Sequence, residues 1–218
     1  MSRKRVQLCL AALYSGILLA STSSFAADKK TIAQGEQLYN QNCSVCHQAD
    51  AIGKPGFAPS LTNPELLSIS SDKFFEGTIR DGRAGTGMPP FSHLGRKKIK
   101  TIVAYLQSHA TLPNRSKVVD AQPDSHGDER LGKQWFVDIC STCHGINGDG
   151  YAAGGTGTAI GKAGFLDKAS DGFIRETIKQ GRSNTRMLGF SGAIGLANLS
   201  DQEINDVIAY MRTLGAKH

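Results

Sequence analysis

Two Cys-x-x-Cys-His pentapeptides, Cys43-Ser44-Val45-Cys46-His47 and Cys140-Ser141-Thr142-Cys143-His144, stand 97 positions apart in a chain of 218 residues. Two thiols and an imidazole at this spacing are the attachment site of a c-type haem. The thiols add across the porphyrin vinyl groups as thioethers, and the adjoining histidine is held against the ring plane within reach of the iron. A Cys-x-x-Cys pair alone also serves zinc sites and dithiol redox couples, but neither gives a reason for histidine at the next position in both copies. The sequence therefore predicts two covalently attached haem c groups, through Cys43 and Cys46 and through Cys140 and Cys143, and a fold that organises itself around each.

The first residues predict export. Arg3, Lys4 and Arg5 precede an apolar run from Val6 to Ala20, and Ser24-Phe25-Ala26 has the small-x-small form of a signal peptidase site. Residues 1–26 are expected to be a signal peptide that sends the chain to the periplasm. The apolar run is shorter than the roughly 20 residues a spanning helix needs, so no transmembrane anchor is expected in the mature chain. Cys9 leaves with the leader, and the four remaining cysteines are all committed to haem, with none over for a disulfide, a copper site or a nucleophile. Without Arg3, Lys4 and Arg5 the formal charge falls from +6 to +3, and four haem propionates offset that, so a nucleic-acid partner is not expected. Residues 27–112 are the basic half, and Arg96, Lys97, Lys98 and Lys100 read as a solvated helix face before they read as a docking patch.

An internal repeat orders the rest of the chain. Gly35-Glu36-Gln37-Leu38-Tyr39 matches Gly132-Lys133-Gln134-Trp135-Phe136 at an offset of 97. Residues 71–83 match 170–182 at 99, and Ile102-Val103-Ala104-Tyr105-Leu106 matches Val207-Ile208-Ala209-Tyr210-Met211 at 105. Two homologous domains are expected, residues 27–112 and 124–218, joined by a polar linker over 113–123 that shows no periodic apolar pattern. The apolar spacing predicts helices over 31–42 and 128–139 leading into the haem motifs, over 71–81 and 170–180 in mid-domain, and over 96–109 and 200–214 closing each copy. No alternating run is long enough for a sheet, so the fold class is all-α.

This organisation resembles class I cytochrome c twice over, and specifically the two-domain dihaem cytochromes of the c4 type, on the strength of Cys43/Cys46/His47, Cys140/Cys143/His144, a methionine loop after each middle helix and the closing Ala-Tyr helices. The resemblance implies that a glycine in the first helix lets the last helix approach, bringing Gly35 and Tyr39 to Tyr105, and Gly132 and Phe136 to Tyr210. It also implies iron ligation by His47 and Met88 in the first domain and by His144 and Met187 in the second, the methionines following the histidines by 41 and 43 residues. Met211 competes with Met187 but aligns with Leu106, a packing position, and His93, His109, His126 and His218 read as solvated side chains. Members of the family usually supply a proline carbonyl to the proximal histidine. Pro59 matches that pattern, whereas Gly161-Lys162-Ala163-Gly164-Phe165-Leu166 has no proline and a different carbonyl is needed.

Methionine–histidine ligation leaves no open iron position, which points to an electron carrier and away from an enzyme. The expected function is a periplasmic dihaem cytochrome that passes one electron per haem between redox partner proteins, donor and acceptor, in a respiratory or dehydrogenase chain. The alternatives are a dedicated haem subunit of a periplasmic dehydrogenase or sulfur-oxidising enzyme, a dihaem peroxidase, and a haem-based gas sensor with a weak sixth ligand. Domains of about ninety residues with short helices bury too little to fold around nothing. Chain made without haem attachment should be largely unfolded, with far-UV circular dichroism showing most of the holoprotein helix signal lost.

Overall fold

The computed structural model describes residues 28–192, 195 and 197–216; the expected leader, Met1 to Ala26, and His218 lie outside the described residues. The first domain contains α1 (Lys29–Asn42), α2 (Ser44–His47), α3 (Pro64–Ile69), α4 (Asp72–Asp81) and α5 (Gly95–Gln107). A short α6 (Ser116–Asp120) follows, and the second domain contains α7 (Glu129–Trp135), α8 (Ser141–His144), α9 (Ala163–Leu166), α10 (Asp171–Gln180) and α11 (Asp201–Gly215). Among the described residues no strand forms, only the isolated bridges Lys54–Ala58 and Gly181–Leu188. The all-α expectation holds.

Local chemistry places the helix ends. Asp28 accepts the Thr31 N–H at 2.7 Å at the head of α1. Ser71 and Ser170 accept from Phe74 and Phe173, at 3.3 and 3.1 Å, at the heads of the matched helices α4 and α10. Ser200 and Glu203 form a full capping box on α11. Helices α4 and α10 stop at Gly82 and Gly181, whose φ of 66° and 70° lies where other residues are strained.

In each domain the first helix crosses the last at a glycine. A Cβ on Gly35 would overlap the Thr101 carbonyl and sit 2.6 Å from Tyr105 Cβ, and one on Gly132 would run into the backbone of Asp206. The aromatics beside each crossing then meet, Tyr39 with Tyr105 and Phe136 with Tyr210, both pairs with ring centroids 5.4 Å apart. Tyr39 is fully buried, and its hydroxyl donates to the Gln48 carbonyl at 2.7 Å, which ties the crossing to the turn behind the first haem motif. The second domain departs from the first here: between α7 and α8, Phe136–Cys140 form a π turn where α1 runs on as regular helix.

The two domains meet through matched surfaces. Phe74 of α4 and Phe173 of α10, 99 positions apart, stack with centroids 4.7 Å apart and planes 24° from parallel. On one side of this pair Asn63 donates to the Ser183 carbonyl at 3.0 Å, and Glu65 accepts from the Ser183 N–H and hydroxyl. On the other side Lys168 pairs with Asp81 at 2.7 Å, and Gly164 lies so close to Arg83 and Ala84 that a Cβ would not fit. Each domain thus sets its post-helix loop against the short helix, α3 or α9, of the other. The segment between the domains is more ordered than its composition predicts. Val119 is 1% exposed, Arg115 donates its N–H to the Ser68 carbonyl and its guanidinium to Glu176 of α10, and Gln122 also bonds Glu176.

Inserting a methyl group at a backbone crossing strains both helices, at a cost of about 3 kcal/mol. Gly132→Ala holoprotein should therefore melt well below wild type, while Gly87→Ala, which has nothing within 4 Å of the added Cβ, should not; thermal unfolding followed by circular dichroism checks both.

Candidate haem sites

Helix α1 delivers Cys43 to a bend, and the single turn α2 brings Cys46 and His47 round to the same site before Gln48, at φ 63°, turns the chain away. His47 is 8% exposed, and its Nδ1 lies 2.9 Å from the Pro59 carbonyl. A carbonyl can only accept, so Nδ1 carries the proton and the lone pair is left on Nε2. Burial pushes the His47 pKa down, the hydrogen bond to Pro59 opposes this, and the nearby Arg83 charge pushes it down further. The neutral imidazole with a bare Nε2 is the form that binds a metal. Pro59 is held in place from behind: Gly53, at φ 81°, presses its backbone so closely on the Ala58–Pro59 segment that no side chain fits between.

The second site repeats this with a different acceptor. His144 Nδ1 lies 2.7 Å from the carbonyl of Thr158, so the missing proline is replaced by a backbone oxygen two positions further from the histidine. The path that brings Thr158 there is made of glycine. A Cβ on Gly157 would sit 2.6 Å from the His144 ring, and the Gly157 N–H donates to the Cys143 carbonyl at 2.8 Å. Burial lowers the His144 pKa as it does that of His47.

The two methionine loops are congruent. In the first, the Arg83 N–H donates to the Met88 carbonyl, the Thr86 hydroxyl donates to the Arg83 carbonyl, and Thr86 Oγ1 accepts the Met88 N–H, at 3.0, 2.7 and 3.2 Å. In the second, Arg182, Thr185 and Met187 make the same three bonds at 2.6, 2.8 and 3.0 Å. Met187 lacks the proline that follows Met88, yet its loop closes the same way and its side chain is half-buried against the core. Met211, the competitor in sequence, is 2% exposed within α11 and packs in the core. His93 and His126 are exposed, and His109 lies edge-on to Tyr105 with Nδ1 3.0 Å from the Tyr105 carbonyl.

The donor set suits covalently held haem and little else. Burial pushes the Cys43 and Cys140 thiols up to about 11 and about 12, which opposes the thiolate a zinc site needs. Among the described residues no group of three His, Cys, Asp or Glu side chains comes together to hold an ion. The sequence also offers Asp149, and Arg83 with Arg182 at matched positions after the middle helices, as groups within reach of haem carboxylates, with a turn aspartate and helix-ending arginines as the plainer reading. Asp149 pairs with Lys162 at 2.5 Å, and Arg83 and Arg182 are half-buried, Arg83 donating to the Ala159 carbonyl and Arg182 to Thr177 Oγ1 and the Gly181 carbonyl. Because an added methyl group at Gly157 would displace the His144 ring, Gly157→Ala should move one of the two couples in a redox titration and leave the other in place.

Comparison with known proteins agrees with this geometry. Residues 30–106 match the family model described as cytochrome c oxidase, cbb3-type, subunit III, and residues 130–215 match that of cytochrome c. Among curated proteins, a cbb3-type cytochrome c oxidase subunit CcoP of Rubrivivax gelatinosus is 30% identical over 220 residues, covering 98% of this chain and 64% of that protein. The corresponding subunit FixPc of Rhizobium leguminosarum bv. viciae is 26% identical over 202 residues, covering 88% and 64%. The chain therefore spans a little under two thirds of the length of these relatives. Among solved structures, a chain of the reducing HAO-like protein complex of Kuenenia stuttgartiensis superposes with a TM-score of 0.50 at 21% identity, covering 84% of this chain and 96% of that one, which supports the fold alone. With two cytochrome c domains in tandem and a Cys-x-x-Cys-His site in each, the chain belongs to the class I cytochromes c as a two-domain member carrying two covalently bound haem c groups.

Proposed function

We propose that the protein is an electron carrier of a respiratory chain that takes up and passes on one electron at each haem, with His47 and Met88 as iron ligands in the first domain and His144 and Met187 in the second. The observation that carries this reading is the congruence of the two methionine loops, each closed by the same arginine–threonine–methionine bonds. When bound, haem supplies a one-electron ferric/ferrous couple. The Pro59 and Thr158 carbonyls fix the tautomer and orientation of the two imidazoles, so each Nε2 is presented as a lone pair. Met88 and Met187 offer thioether sulfur, which favours the ferrous state and raises the potential. Ligands on both faces leave no place for peroxide or oxygen, which speaks against a peroxidase or a gas sensor. Among the described residues no helix is long and apolar enough to cross a membrane. A periplasmic location rests on the expected leader.

The similarity to oxidase subunits favours a second reading, in which the chain works as a haem subunit seated on a membrane-bound respiratory oxidase and not as a free shuttle. Fractionation of the native cells separates the two: haem staining at this mass in the released periplasm supports the shuttle, and co-migration with oxidase activity in solubilised membranes supports the subunit.

Carbon monoxide tests the ligands. The reduced wild-type holoprotein should show two haems per chain and no spectral change with the gas. Met88→Ala and Met187→Ala should each bind about one equivalent. Stoichiometric binding by the wild type would overturn the carrier reading.

A further inference from the structure

The first haem motif is flanked by apolar side chains that the fold leaves in water. Val45, Ile52 and Phe57 are 87%, 62% and 59% exposed. Val45 sits between the two cysteines of the motif. Ile52 and Phe57 border a turn that is built to be stiff: Lys54 and Ala58 exchange backbone hydrogen bonds of 2.9 Å in both directions, Gly56 at φ 73° reverses the chain between them, and the Gly53 N–H donates to the His47 carbonyl at 3.0 Å. Phe57 is thus held out into solvent on a closed turn, with the Lys54 ammonium 5.9 Å from its ring centroid. The second site exposes Ile146 and Leu188, on separate loops. It carries Thr142 in place of Val45 and, counted back from the carbonyl that the histidine meets, Thr156 in place of Phe57.

The charges of the same domain break a local rule. Helix α5 starts with no side-chain cap and no acid in its first turn, and Arg96, Lys97, Lys98 and Lys100 all stand exposed there with no ion pair among the described residues. Cations at a helix N-terminus oppose the macrodipole, so this arrangement works against the stability of the fold. Helix α11, its counterpart in the second domain, obeys the rule: the repeat offset of 105 sets Asp201 opposite Arg96 and Glu203 opposite Lys98, and Ser200 and Glu203 close the capping box. A locally unfavourable feature with no compensating contact marks a position kept for function. The exposed apolar side chains adjoin the histidine side of the first haem site, and the cations follow its methionine loop.

We propose that the redox partner that takes electrons from this protein docks on the first domain, with Val45, Ile52 and Phe57 seated on an apolar centre of the partner and Arg96, Lys97, Lys98 and Lys100 drawing in a rim of carboxylates around it. This deepens the carrier reading above and rests on it. One electron passes from the ferrous haem on Cys43 and Cys46 to an oxidised one-electron centre of the partner, and no bond is made or broken. A rigidly held aromatic is the kind of side chain that carries most of the energy of an interface, and exposed like charges raise the rate of encounter with an oppositely charged surface. Three apolar side chains make a small contact, suited to a partner that must leave again after each electron. The acid-bearing start of α11 repels the same partner from the second domain.

The test is stopped-flow oxidation of the reduced holoproteins by respiratory membranes of the native cells, followed in the ferrous haem band over a range of ionic strength, with haem counted and midpoint potentials measured for every variant. The wild-type rate should fall as salt rises. The double variant Arg96→Glu, Lys98→Glu should react about tenfold more slowly at low salt and lose most of the salt dependence. It should melt no lower than wild type, since acids suit a helix N-terminus, which separates a lost docking site from a damaged fold. Phe57→Ser should slow the reaction about tenfold with the salt dependence and both potentials kept, and Ile52→Ser takes its place should Phe57→Ser shift a potential. Lys133→Glu and Ile146→Ser, in the second domain, should leave the rate unchanged. First-domain variants that react as fast as wild type, or second-domain variants that are slowed as much, overturn the proposal and leave the carrier reading intact. A wild type with two haems that the membranes do not oxidise overturns the respiratory reading, and the proposal with it. Self-association of the wild type at low salt in sedimentation, abolished in the double variant, overturns a redox partner as the occupant and gives the face to a second copy of this chain.

Discussion

The hydrogen bond from the histidine Nδ1 to a backbone carbonyl is the constraint around which each domain is arranged. A Cys-x-x-Cys-His pentapeptide attaches the porphyrin by itself, but it does not decide which imidazole nitrogen faces the metal. Pro59 and Thr158 decide it, at 2.9 and 2.7 Å. Each carbonyl is held in turn by close backbone contacts at glycine, Gly53 in one domain and Gly150 in the other, while Gly157 makes room for the His144 ring. The loops between motif and middle helix are thus glycine-bearing because two backbones and an imidazole must pack closer than side chains permit.

Electrostatics and packing reinforce each other at the domain interface. The loops that carry Met88 and Met187 are the same loops that meet the opposite domain, so the position of each methionine and the docking of the domains are set by one group of contacts. The linker adds to this. Through Arg115, Val119 and Gln122 it lies against α3 and α10 together, which limits independent motion of the two haem sites. A carrier whose two centres keep a fixed relation loses little to reorganisation when an electron moves between them.

Much of this was legible in the sequence, for identifiable reasons. The repeat, the haem motifs and the long helices follow from chemistry that acts over a few residues: thioether spacing, serine caps, apolar periodicity and the terminating glycines. The meeting of Gly35 with Tyr105 and of Phe136 with Tyr210 followed from the family resemblance, whereas Gly132 packs on the Asp206 backbone. The short α3, α6 and α9 were not legible, since four to six residues carry no period and their helicity comes from what they pack on. The π turn at Phe136–Cys140 left no trace either, because the repeat keeps its offset of 97 across it. Thr158 could not be singled out, as the group it contributes is a carbonyl that every residue has. Arg83 and Arg182 were visible as a matched pair, but the seat of Arg83 on Ala159 and Phe165 is a property of the interface between domains.

The stacked ring pair at the centre of that interface has a further meaning. Phe74 and Phe173 are the same position of the repeat, so the contact joins a surface to its own copy across an approximate two-fold axis. Such self-matching faces are the hallmark of symmetric dimers. The molecule has the form of a dimer of one-haem subunits made permanent by a short stretch of chain. A true dimer must keep both subunits identical, and a fused one need not. The substitution of Thr158 for Pro59 behind the histidine of the haem motif, and of a π turn for a regular one ahead of it, are differences that fusion allows the two halves to hold.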